Sequence, residues 1–212
     1  MLFELHVHSS YSDGKPTPKE ILEYAGSRLD GIALTDHDEI AGALEALEHA
    51  GDDFTVIPGA EVSSVEGHIL ALGVTELVPR DLSAAETVDR IHGLGGLAVA
   101  AHPYDVRRAA LGDLILKLPF DAVEVVNGHT FGNKKDPVKV CREAGLPMVG
   151  GSDAHILSEV GSVTVEFDGD WRNAIKKGNV TIDSRNIAHR IFNFGVGAVH
   201  RRISRSRKKG DH

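Results

Sequence analysis

The sequence predicts an α/β fold in which the strands of a parallel sheet alternate with covering helices. Three observations predict it. Short continuous apolar runs such as Gly31-Ile32-Ala33-Leu34 and Leu97-Ala98-Val99-Ala100 recur along the chain, and such runs belong to strands buried on both faces. Stretches with helical apolar spacing lie between them. Nearly every strand ends in a His, Asp or Glu. Pattern alone fits a barrel or an open sheet. The strand-end residues favour the barrel, whose strand ends converge on one mouth. An open doubly wound sheet would gather ligands at one switch point, often with a glycine-rich phosphate loop. That loop is missing, because Gly93-Leu94-Gly95-Gly96 falls at a helix end where capping accounts for it.

Leu2 to His8 reads as the first buried strand, and Asp13-Gly14 as a sharp turn beyond it. Thr17-Pro18-Lys19-Glu20 is a capping box with proline at the first helical position, predicting a helix to about Arg28. Gly31 to Thr35 is a strand ending in Asp36-His37-Asp38, and Ile40 to Ala50 has helical spacing. Phe54 to Pro58 is the third strand, followed by Gly59-Ala60-Glu61, and His68 to Leu72 is another apolar run. Ser83-Ala84-Ala85-Glu86 opens a helix that stops near Gly95. Leu97 to Ala101 is a strand ending in His102-Pro103, and Leu111 to Leu118 looks helical. Ala122 to Val126 is a strand ending in Asn127-Gly128-His129, and Asp136 to Ala144 is a helix. Pro147 to Gly151 is a strand ending in Ser152-Asp153-Ala154-His155. A strand over Val163–Phe167, a helix over Trp171–Lys177 and a short strand over Val180–Ile182 follow, then a long amphipathic helix from Asn186 to about Arg205.

At 212 residues the chain reads as one domain, residues 1–183, with a C-terminal helix and basic tail over 184–212. Residues 1–183 hold 15 Lys+Arg against 30 Asp+Glu, whereas residues 184–212 hold 8 against Asp211 alone. The body is acidic, as a cation-binding protein can be, and the tail is basic. The lone Cys141 excludes an intramolecular disulfide and a cysteine-rich zinc site. No apolar run is long enough to span a membrane and no signal-peptide pattern opens the chain, so a cytoplasmic protein is expected.

His6 and His8 lie two apart on a strand and point the same way. Alone, such a pair reads as two surface histidines. With Asp13, His37, Glu61, His68, His102, Asp153 and His155 it makes nine metal-capable side chains, most of them at strand ends. Buried polar groups in that number need a compensating cation.

These motifs carry a family resemblance. His6-Val7-His8 with Asp13, Thr35-Asp36-His37, Gly59-Ala60-Glu61 with His68, Ala101-His102-Pro103, and Gly151-Ser152-Asp153-Ala154-His155 occur in the order of the polymerase and histidinol phosphatase (PHP) superfamily. The chain resembles a stand-alone PHP domain. The resemblance implies a single-domain distorted (β/α)7 TIM-like barrel with two to three divalent ions (Zn, Mn or Fe) at its mouth. It allots His6, His8, Glu61 and Asp153 to one ion, Glu61, His68 and His102 to a second, and Asp13, His37 and His155 to a third. Asp13 stands where some relatives have histidine.

The activity expected is metal-dependent phosphoester hydrolysis of a small phosphomonoester or nucleotide, in which a metal-bound hydroxide attacks phosphorus and no serine or cysteine nucleophile takes part. Glu61, Asp153 and His155 are the expected catalytic residues, and Asn127, His129, Arg107 and Lys134 the expected substrate contacts; Arg108 and Lys135 read rather as solvated loop charges. The basic tail leaves open an exonuclease acting on RNA or DNA ends, and a non-catalytic metal-binding accessory module is the reading from another class. Oligomeric state is not set by the sequence.

Overall fold

A computed structural model of the chain describes residues 1–184. The long helix expected from Asn186 and the basic tail lie outside the described residues.

Among the described residues nine strands form one sheet: β1 (Leu2–Val7), β2 (Gly31–Leu34), β3 (Thr55–Ser63), β4 (His68–Leu72), β5 (Leu97–Ala100), β6 (Ala122–Asn127), β7 (Met148–Gly151), β8 (Thr164–Glu166) and β9 (Thr181–Asp183). Their spatial order is β7-β6-β5-β4-β3-β2-β1-β8-β9. The chain just past β7 then returns to β1: Ala154 bridges Val7 in parallel, His8 N–H donates to Ala154 O at 2.8 Å, and Ala154 N–H to His6 O at 3.1 Å. Seven strands thereby form a nearly closed barrel, with β8 appended antiparallel to β1 and β9 antiparallel to β8.

Among the described residues five helices pack on it: α1 (Pro18–Ala25), α2 (Ala41–His49), α3 (Ala84–Gly93), α4 (Pro137–Ala144) and α5 (Trp171–Lys177). Both capping boxes form as the sequence requires, Thr17 with Glu20 and Ser83 with Glu86. The segment expected to be helical at Leu111–Leu118 is a single 3-10 stretch, Gly112–Leu116.

One expectation needs correction. The sheet is not uniformly parallel, because β4 runs antiparallel to both β3 and β5. Only four residues separate β3 from β4, enough for a hairpin but too few for a helical crossover. This reversal carries His68, the first residue of its strand, to the end of the barrel where the other strands finish.

Two apolar cores lie on the two sides of the sheet. The outer one joins Ile21, Ala43, Val88, Ile91 and Cys141 of the helices to the outward strand residues. The inner one draws on every strand from β1 to β8, with Leu5, Ala33, Ile57, Leu70, Val99, Ala122, Val149 and Val165, and is capped by Ala174 and Ile175 of α5. The barrel is therefore filled below and open for polar chemistry above.

Two irregularities decide what faces that upper space. In β1, Phe3 and Leu5 belong to the inner core, yet Val7 belongs to the outer one. The ladder to β2 slips between Glu4 and Val7, so the inward phase passes from odd to even residues and His6 and His8 turn inward. In β6 the ladder slips between Glu124 and Val126, which lets Glu124 and Asn127, three apart, share the interior.

The seam between β1 and β7 is closed differently below Ala154. There the buried Glu4 carboxylate accepts the backbone N–H groups of Ser152 (2.8 Å), His6 (3.1 Å) and Gly161 (3.1 Å), and the Ser152 hydroxyl. Burial pushes its pKa up to about 7 against the pull of these donors.

Candidate metal and active site

Glu61 is the centre of the upper space. The carboxylate is buried and five imidazoles face it. Its Oε1 lies 2.9 Å from His68 Nδ1 and 3.0 Å from His102 Nε2. Its Oε2 lies 3.0 Å from His6 Nε2, 3.3 Å from His8 Nε2 and 3.4 Å from His37 Nδ1. Burial opposes ionisation of Glu61, but His6, His102 and His68 together hold its pKa well below the usual carboxylate range. Asp153 is likewise held low, against burial, chiefly by His6 and His8.

All nine expected ligands come to one mouth. Ligand atoms of His6, His8, Glu61 and Asp153 lie within 4.8 Å of one another, as do those of His8, Asp13, His37 and His155. A third such group joins His37, Glu61 and His68. His102 completes it through the Glu61 oxygen that His68 also faces. His37 stands between two groups, with Nδ1 toward Glu61 and Nε2 4.0 Å from Asp13 Oδ2. His155 Nδ1–H donates to the backbone carbonyl of Asp153 (2.8 Å), leaving Nε2 3.2 Å from Asp13 Oδ2. His102 and Asp153 hold left-handed backbone, at φ 29° and 55°. Non-glycine residues keep such angles only where their surroundings enforce them.

The expected substrate contacts divide. His129 and Arg107 line a cavity of about 270 Å³ over the cluster, with Asp105, Arg108 and Phe131. Asn127 faces inward but its amide is engaged: Nδ2 donates to Glu124 (2.9 Å) and Asp153 (3.3 Å), and Oδ1 accepts from Arg108 (3.0 Å) and His129 N–H (2.8 Å). Its amide thus ties Glu124, Asp153, Arg108 and His129 together. Lys134 is not among the residues lining the cavity; its backbone N–H bonds Tyr104 O. Arg108, expected in solvent, instead bonds Asp153, Asp105, Asn127 and Thr130.

Sequence reasoning also missed Glu124. Its carboxylate meets His6 Nδ1 at 2.8 Å, His102 N–H at 2.9 Å and Asn127 Nδ2 at 2.9 Å, tying two ligand strands together. The available signal was an acidic residue inside the apolar run Ala122–Val126. Asp36 does similar work for the first loop, binding Ser9 N–H (2.7 Å), Ser9 Oγ (2.6 Å) and Ser12 Oγ (2.6 Å) just before Asp13.

A family model described as the PHP domain matches residues 4–112, and one described as PHP-associated matches residues 138–180. The chain belongs to the PHP domain family. An uncharacterized protein of Methanocaldococcus jannaschii is 36% identical over 142 residues, which are 61% of this PHP chain and 83% of that protein. A phosphoribosyl 1,2-cyclic phosphate 1,2-diphosphodiesterase of Eggerthella lenta is 38% identical over 125 residues, 51% of this chain and 47% of that enzyme. A crystal structure from Bacteroides vulgatus, described as a two-domain protein containing a predicted PHP-like metal-dependent phosphoesterase, shares the PHP fold. It superimposes with a TM-score of 0.72 at 18% identity, over 86% of this chain and 64% of that one.

The PHP site fits divalent cations by its own chemistry. Both ring nitrogens of His8 and Nδ1 of His102 are buried without a hydrogen-bond partner among the described residues. His8 Nε2 is 3.1 Å from Asp153 Oδ1 and 3.3 Å from Glu61 Oε2, near both carboxylates without bonding geometry to either. Orphaned buried nitrogens are costly, and lone pairs converging from imidazole and carboxylate are what a cation relieves. The mixed N and O donors suit Zn, Mn and Fe alike.

Proposed function

We propose that this PHP chain is a metal-dependent phosphoesterase with two to three divalent ions held as the resemblance allots them. His6, His8, Glu61 and Asp153 hold one, Glu61, His68 and His102 a second, and Asp13, His37 and His155 a third. The observation that carries the reading is Glu61, a buried carboxylate with five imidazoles around its two oxygens. Cations bound there supply Lewis-acid charge for a phosphoryl oxygen and acidify water toward neutral pH.

The chain's own residues prepare that chemistry. Glu124 accepts a hydrogen bond from His6 Nδ1–H, which fixes the tautomer and presents Nε2 to Glu61 and Asp153. Asp105 grips Arg108 through Nε and Nη2 (3.2 and 3.1 Å) and holds its guanidinium on the cavity wall. That planar donor suits a phosphoryl oxygen as the bond to the leaving group lengthens. His129 faces the same cavity and meets Glu159 at 3.2 Å.

The test is hydrolysis of an aryl phosphate ester by chelated protein reloaded with Mn, Fe or Zn. Turnover should require the cation and vanish in Glu61→Ala. Full activity of Glu61→Ala would refute the reading, and cation binding without turnover would mark an accessory module instead.

A further inference from the structure

The loops that follow β5 and β6 join above the mouth. Val106 N–H donates to Gly132 O at 3.1 Å, Lys134 N–H to Tyr104 O at 2.8 Å, and Asp105 faces Asn133 in an antiparallel bridge. This ribbon carries Phe131, which is 64% exposed yet lines the cavity over the ligand cluster. The Arg107 guanidinium lies 4.3 Å over the Phe131 ring and lines the same cavity. Asp105 fixes the turn beneath them by accepting Arg107 N–H at 2.7 Å.

Ring and guanidinium line the same cavity as the histidine cluster, where a phosphoryl group would use the cation but not the ring. An aromatic ring paired with a guanidinium plane offers two flat surfaces. Nucleobases stack on such surfaces, whatever their hydrogen-bonding edge. The ribbon's backbone bonds hold the pair in place, so little ordering is needed on binding.

We propose that Phe131 and Arg107 form a stacking shelf for a nucleobase, so that the substrate is a nucleotide with its phosphate toward Arg108 and the histidine cluster. The inference rests on the phosphoesterase reading and narrows its substrate.

The test separates binding from turnover. Calorimetry on cation-loaded protein would compare adenosine 5′-monophosphate, a short oligonucleotide ending in the same nucleotide, and glycerol phosphate. The base-bearing probes should bind about 10-fold tighter than glycerol phosphate or more, as expected for one stacked base. Phe131→Ala should erase that advantage, Phe131→Leu should erase it while keeping apolar bulk, and Phe131→Trp should keep it. Tighter binding of the mononucleotide assigns the shelf to free nucleotides, and tighter binding of the oligonucleotide to a strand end. Equal affinity for glycerol phosphate and both base-bearing probes would overturn the shelf, as would undiminished nucleotide binding in both Phe131→Ala and Phe131→Leu. Base-dependent binding with no ester hydrolysed would instead spare the shelf and overturn the phosphoesterase reading.

Discussion

Raising the pH should loosen the cation-free protein. His8 is buried, and although burial opposes its charge, the adjacent carboxylates of Asp153 and Glu61 raise its pKa from 6.5 to about 9. A group whose pKa is raised by folding contributes stability that is complete below the unfolded value and lost as pH climbs through the folded one. The window is therefore pH 6.5 to about 9, and stability falls across it. His6, held well above its ordinary value by Glu124, Asp153 and Glu61 against burial, acts in the same direction. For His8 alone the displacement corresponds to about 3 kcal/mol, or about 6–12 °C in Tm for a domain of this size. Thermal melts of chelator-treated protein at pH 6.5 and pH 9 measure it. Added Mn or Zn should reverse the trend, because cations and protons compete for the same nitrogens and metal affinity rises with pH. His8→Gln should flatten the cation-free slope. A cation-free Tm that holds level or rises between pH 6.5 and 9 would refute the reasoning.

Other perturbations have equally definite outcomes. Glu124→Gln keeps the volume but weakens the grip on His6 and His102, and should lower cation affinity by about 10–100-fold in a competition titration. Glu4→Ala leaves three backbone N–H groups of the seam without their acceptor and should cost about 3 kcal/mol or more in urea denaturation. Gly151→Ala would place a Cβ 2.5 Å from His6 Cβ and 2.7 Å from Glu124 Oε1. It should destabilise by about 1–3 kcal/mol and lower cation binding together with stability, read from parallel melts and titrations.

Much of this was legible in the sequence, for physical reasons. Capping boxes are local, and Thr17-Glu20 and Ser83-Glu86 formed where they were read. Histidines and carboxylates at strand ends are costly to bury alone, and the sheet gathers all nine at one mouth. What escaped depends on phase and direction. The antiparallel course of β4 is invisible in its composition, so nothing local shows that His68, which opens its strand, shares an end with the residues that close the others. The slip in β1 breaks the two-residue alternation between Leu5 and Val7, and no propensity marks it. Arg108 looked like an ordinary loop charge because its partners Asp105 and Asp153 come from two different strand ends. Glu124 and Glu4 each announced themselves as a charge in an apolar run, but their partners lie on other strands and could not be named from one line of sequence.

The seam between β1 and β7 has a mechanical side. A barrel that lacks one full ladder opens most easily there, and here the Glu4 carboxylate ties the lower part of that joint. His6 and His8 hang from one lip, Asp153 and His155 from the other. Any ion shared between them is a clasp across the joint, so filling the site should lock the ring shut, and emptying it should let amide exchange begin along β1 and β7 before it reaches β3 or β4.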